Sequence, residues 1–238
     1  MKPASRYWVV FLLLAGTATA APELTLPSSS FDFGYLPQNA VVSHRFLLRS
    51  TGDAVLEIKN IRLGCGCTRA PLERNTLPPG DSTWVELIFE SKHYRGSLTK
   101  GAYIYANDTA ASHLIGFSAN VVPQPDETRP VTISPHILDI SQFGAKARTE
   151  LEFTIRNLSN REVKLTPIDV PDQYITLEMP DRIGASKSVT ARISLTDSAI
   201  KQSFEKSFTF SVGEDRGTRF TVPIKRTIFG TDASSSAE

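Results

Sequence analysis

The segment HRFLLRSTGDAVLEIKNI, beginning at His44, is answered by LEFTIRNLSNREVKLTPI, beginning at Leu151. FDFG at Phe31 is answered by LDIS at Leu138, and both pairs are 107 residues apart. LPPGDSTWVELIF and DRIGASKSVTARISL correspond at a slightly shorter offset. A pattern that recurs at fixed spacing means that one folding unit occurs twice. Each unit is about 100 residues, the size of an immunoglobulin-like sandwich, and long enough to bury its own core.

Within a unit the apolar residues alternate. In SHRFLLRS, Phe46 and Leu48 share one face while Arg45, Leu47 and Arg49 share the other. In WVELIFE, Val85, Leu87 and Phe89 oppose Trp84, Glu86, Ile88 and Glu90. TARISL and SFTFSV behave similarly. A period of two is that of a strand with one buried face. STGD, PPGD, NDTA, NLSN and GEDRG separate the runs as turns. Helical periodicity comes nearest in DSAIKQSFEKSF, and there only in its first half. The predicted fold is all-β: two tandem immunoglobulin-like antiparallel β-sandwiches, residues 21–122 and 131–230. Between them, PQPDETRP (123–130) reads as a proline-rich, extended, semi-rigid linker. The polar TDASSSAE (231–238) reads as a disordered tail.

The first 20 residues have a different character. Lys2 and Arg6 precede an apolar run from Trp8 to Ala15, and Ala18-Thr19-Ala20 follows. That order is a secretory signal peptide with cleavage near Ala20/Ala21. The run is too short for a spanning helix, which needs about 20 apolar residues. No cysteine stands directly after the cleavage point, so no lipid anchor is expected there. The expected location is periplasmic or secreted, soluble after cleavage and without a transmembrane segment. Lys2 and Arg6 leave with the leader, so 24 basic residues face 25 acidic ones, a formal net charge of −1. That balance supplies no electrostatic drive toward nucleic acid or anionic membrane.

Cys65 and Cys67 are the only cysteines in the chain, and a single glycine separates them. As a staple this spacing achieves little: closing a three-residue loop gives about 1.6 kcal/mol, against about 3 kcal/mol for fifteen residues. Two unbonded cysteines packed as small apolar side chains are a second structural reading. The redox reading is a short-loop disulfide that exchanges readily. There Gly66 would let the backbone turn and Arg69 would stabilise a thiolate. Reduced, the pair could hold Cu(I), or zinc with histidines drawn from His44, His93 or His113. His44 is the best placed of these. No cofactor other than such a copper or zinc ion is expected. A Cys67/His44 nucleophile pair has only its residue types in its favour. The chain lacks G-x-S-x-G, H-E-x-x-H, a phosphate loop and Rossmann glycines, so no catalytic residue is assigned. Tyr103 and Tyr105 share one strand face, as sheet packing or as a ligand platform.

FDFG, HRF, STGDAVLEI, CGCT and PPGD occur in this order before an alternating strand. This series resembles a bacterial family of exported proteins catalogued as a domain of unknown function. Its hallmark is Ser-Cys-Gly-Cys-Thr, and its fold looks like the immunoglobulin-like domains of the Hydin type. The resemblance covers Leu24 to Val122. Matching positions include Phe33, Gly34, His44, Phe46, Gly52, Cys65, Gly66, Cys67, Thr68, Pro79 and Gly80. Gly64 stands where the family has serine, and Ser50-Thr51 where it has Asn-Thr. The resemblance implies fold and export, and no activity.

Three functions follow as expectations. The first is a non-enzymatic exported protein that binds another protein or a cell-envelope component. The second is a thiol site for metal binding or thiol–disulfide exchange at Cys65 and Cys67, with His44, Gly66, Thr68 and Arg69 in support. The third is a periplasmic assembly chaperone similar to the two-domain pilus chaperones.

Overall fold

A computed structural model of the chain describes residues 20–214 and 217–229. The expected leader, apart from Ala20, and the tail at 231–238 lie outside these residues. The strands, in chain order, are β1 (Leu24–Thr25), β2 (Ser30–Pro37), β3 (Val41–Ser50), β4 (Leu56–Leu63), β5 (Thr68–Arg69), β6 (Thr76–Leu77), β7 (Ser82–Glu90), β8 (Gly96–Ala106) and β9 (His113–Val122). They continue as β10 (Val131–Ser134), β11 (Leu138–Asp139), β12 (Gln142–Phe143), β13 (Glu150–Asn157), β14 (Val163–Asp169), β15 (Ile175–Glu178), β16 (Arg182–Ile183), β17 (Ser188–Leu195), β18 (Phe204–Val212), β19 (Thr218–Arg226) and β20 (Ile228–Phe229). Among the described residues no helix is long and apolar enough to cross a membrane.

The fold is all-β, two immunoglobulin-like sandwiches in tandem. In the first, the sheet β1-β3-β7-β5 packs on β2-β9-β8-β4-β6. In the second, β10-β13-β17-β15 packs on β16-β14-β18-β19, with β11 beside β19. The topology of the two sandwiches repeats, in line with the 107-residue echo in the sequence, and the second half adds the small sheet β12-β20. Alternation decides the faces: Phe46, Leu48, Val85, Leu87 and Phe89 are all buried. Most pairings are antiparallel, but within the sandwiches β2 runs parallel to β9 and β11 parallel to β19, and β12 with β20 and β19 with β2 are parallel too. FDFG and LDIS, the first echo, supply β2 and β11.

The halves touch. β2 of the first half meets β19 of the second at Phe220 opposite Tyr35, which joins the two larger sheets. Thr221 Oγ1 donates to the Phe33 carbonyl at 2.6 Å, and Arg219 donates to the Asp32 carbonyl at 3.1 Å. Lys206 Nζ reaches both Glu86 oxygens at 2.6 Å. Gly34 permits the approach. Its φ is +62°, and a Cβ there would lie 2.1 Å from the Arg219 carbonyl oxygen.

Two local expectations are corrected. Residues 123–130 do not form an extended spacer, because Pro125–Glu127 is a 3-10 turn capped by Thr128 hydroxyl bonds to the Pro125 and Val131 carbonyls. The first half of DSAIKQSFEKSF is a run of turns, held where the Thr196 and Ser198 hydroxyls bond the Gln173 carbonyl. Serine and threonine hydroxyls compete in this way with helical backbone bonds. NLSN is a turn built on a wholly buried Asn157, whose amide donates to the carbonyls of Arg161, Ile183 and Gly184.

Candidate functional site

The Cys-Gly-Cys segment sits where the chain changes sheets. Gly64 N donates to Gly101 O at 3.1 Å and extends the β4–β8 ladder. Three residues later Cys67 O accepts from Glu90 N at 2.9 Å, beside β7 in the opposite sheet. Cys65 and Cys67 are joined by a disulfide across this corner, with Cα atoms 5.3 Å apart. Cys67 is buried in the core of the first sandwich and Cys65 is half-buried against it. The Thr68 hydroxyl donates to Cys65 O at 3.2 Å and lies 3.8 Å from Cys65 Sγ.

The other predicted site residues divide. Thr68 is at the bridge. Arg69 is exposed and engaged with Glu90 at 3.5 Å. Gly66 has no left-handed φ, and a side chain there would meet nothing within 4 Å. Its backbone freedom is therefore not what closes the bridge. His44 lies on β3, and β7 separates β3 from β5. Its ring stacks on Phe31 at 3.8 Å between centroids, and its Nδ1 lies 2.6 Å from Asp169 Oδ2 of the second half. His113 pairs with Asp108 at 2.6 Å and His93 is exposed. Among the described residues no three His, Cys, Asp or Glu side chains gather as a metal-ligand set.

Beside the bridge lies a feature that sequence reasoning missed. β6 pairs only with Leu56 and Glu57 of β4, and Asn75 O accepts from Ile58 N. The preceding segment bonds to β7 instead, through Glu73 N to Trp84 O and Glu86 N to Pro71 O. Among the described residues, Lys59–Leu63 of β4 therefore has no strand on its outer side. Gly64 and Gly101 are a hydrogen-bonded pair, so Arg62 and Tyr103, two positions back, are another. In an antiparallel ladder the residues between bonded pairs point their N–H and C=O away. Among the described residues, Ile61 and Leu63 thus present free backbone groups along the edge. Leu63 is 37% exposed, and Arg62, Tyr103 and Leu114 stand in one cross-strand row on the outer face.

Lys59 and Arg62 are exposed and make no ion pair among the described residues. The signal in the sequence was weak: LEIKNIRL reads as one more alternating strand, and only a strand order shows which of its sides is vacant. A cleft of about 490 Å³ between the halves is the other cavity of note. Apart from Asp172, its charged side chains and its histidine have partners: His44 faces Asp169, Lys206 faces Glu86, and Arg45 faces Glu73. Elsewhere, burial pushes the Arg226 guanidinium below its usual range. That group is held by the carbonyls of Ile140, Arg148 and Ile200 and by Gln142 Oε1, as a structural tie.

Among solved structures, the chain is similar to a protein of unknown function from Porphyromonas gingivalis W83, at 13% identity and TM-score 0.35, covering 85% of this chain and 98% of that one. It is similar to the ASH/PapD-like domain 7 of human CEP192 at 10% identity and TM-score 0.35, covering 50% and 99%. The VesB protease of Vibrio cholerae aligns at 13% identity and TM-score 0.33, over 42% of this chain and 31% of that one. No curated protein sequence matches. Residues 24–121, the first sandwich with its bridge and open edge, match the family described as a protein of unknown function, DUF1573.

Proposed function

We propose that this chain is a non-enzymatic exported protein that holds an extended segment of another cell-envelope protein along the open edge of β4. The observation that carries this reading is the unpaired backbone of Ile61 and Leu63. Strand addition to a vacant edge uses main-chain bonds for affinity and side-chain pockets for selectivity. Several other sheet edges are poor sites, including β14 beyond β16, where Pro167 removes a backbone donor. β10 lies between Pro130 and Pro135, Pro180 follows β15 closely, and Pro78 follows β6. β1, β5 and β16 are two residues long. Short edges and prolines discourage pairing. The disulfide supports export, because such bonds persist in oxidising compartments.

The test is site-dependent photo-cross-linking in intact cells. A photoreactive side chain replaces Leu63 on β4 or Thr190 on the outer face of β17. The expected result is one discrete product from position 63, none from position 190, and an envelope form whose first residue is Ala21. Equal products from both positions, or none from either, overturn the binding reading. An unprocessed amino terminus overturns the export.

A further inference from the structure

We infer that the segment held at β4 is acidic, with the local pattern apolar–acidic–apolar and a second acid two or three residues beyond the first. This deepens the reading above and rests on it. Consider a strand laid antiparallel along the edge. Ile61 and Leu63 would exchange backbone bonds with it, since their groups are the free ones. Arg62 would then occupy a non-hydrogen-bonded position, where facing Cα atoms are about 4.5 Å apart and side chains are closest. The residue opposite Arg62 would lie on the outer face beside its guanidinium. Its two neighbours would turn inward, over half-buried Ile61 and Cys65 and the exposed Leu63. The outer residue gains from a negative charge and the inner two from apolar side chains. Lys59, exposed in the irregular stretch between Ile58 and Asn60, would meet the next acid.

The same charges disfavour a second copy of this chain as occupant. Two β4 edges paired so that Ile61 of each copy exchanges bonds with Leu63 of the other would set the two Arg62 side chains opposite one another, and opposed like charges destabilise a strand pair. A lysine and an irregular stretch on an edge also discourage indiscriminate pairing. An acidic strand is the kind of partner that gains from them.

The probes are two synthetic peptides, acetyl-T-V-E-V-T-E-T-amide and its lysine counterpart acetyl-T-V-K-V-T-K-T-amide. Each is titrated into the full-length processed protein while backbone amide resonances are followed. The acidic peptide is expected to shift the Ile61 and Leu63 amides saturably and to bind at least about tenfold more tightly than the lysine peptide. In the Lys59→Glu, Arg62→Glu variant the preference inverts. Equal binding of both peptides at Ile61 and Leu63 overturns the acidic inference and leaves the strand-addition reading intact. Binding of neither peptide at that edge overturns the inference too, and the cross-link from position 63 then decides the broader reading separately. A cross-link from position 63 that joins two copies of this chain overturns the choice of occupant.

Discussion

At the scale of single residues, the bridge has a structural task that its short loop conceals. Loop entropy alone credits a three-residue ring with about 1.6 kcal/mol. Its position adds a second contribution, because it pins the corner where Gly64 leaves one ladder and Cys67 enters the other. Cys67 also fills space in the first core. The Cys65→Ser, Cys67→Ser variant is therefore expected to lose at least about 1.6 kcal/mol, a fall in Tm of about 3–6 °C for a chain of this size. Gly66→Ala is expected to keep both the bridge and the Tm, since a methyl group there meets open space. Calorimetry with a thiol titration checks both. An unchanged Tm in the double serine variant would show that the corner holds without sulfur. The residue types were legible from the sequence. The route of the turn was not, because it is decided by the path between two sheets, and a three-residue window does not carry that path.

At the scale of elements, alternation made the strands readable. A period of two needs only neighbouring residues, so SHRFLLRS and WVELIFE declared their faces directly. Turn chemistry placed the breaks. What could not be read was which strand stands beside which, and this is where the candidate site resides. The edge exists because the segment after the bridge follows β7 before it reaches β4. That choice depends on contacts between residues distant in sequence. It has a direct spectroscopic consequence. In the unliganded protein the Ile61 and Leu63 amides face away from β8, while the Arg62 amide is bonded to Tyr103. Hydrogen exchange is expected to be fast at Ile61 and Leu63 and slower at Arg62 by about tenfold or more, since exchange of a bonded amide waits on local opening. A uniformly protected β4 would mean that some other segment of the chain already covers the edge.

At the scale of the whole molecule, the repeat suggested two units on a proline-rich spacer, yet the halves meet through paired strands and partly shielded polar pairs. The sequence hides this junction because its partners are far apart in the chain. Gly34 is a position of resemblance to the exported family, but its close neighbour is Arg219 in the other half. His44, considered first as a metal ligand, faces Asp169 across the same junction. The Lys206–Glu86 pair is the most informative place to probe it, because both side chains are largely shielded from solvent. Removing one member of a shielded pair leaves the other charge without its partner, whereas replacing both with apolar groups of similar size removes the problem along with the attraction. Lys206→Met is accordingly expected to cost about 2–3 kcal/mol, below the 3–5 kcal/mol of a fully buried pair. The Lys206→Met, Glu86→Leu variant is expected to recover most of that loss. Denaturant unfolding of the full-length protein measures both. If the halves were merely adjacent, with no energetic coupling through this pair, the single substitution would leave the midpoint unchanged and the second would recover nothing.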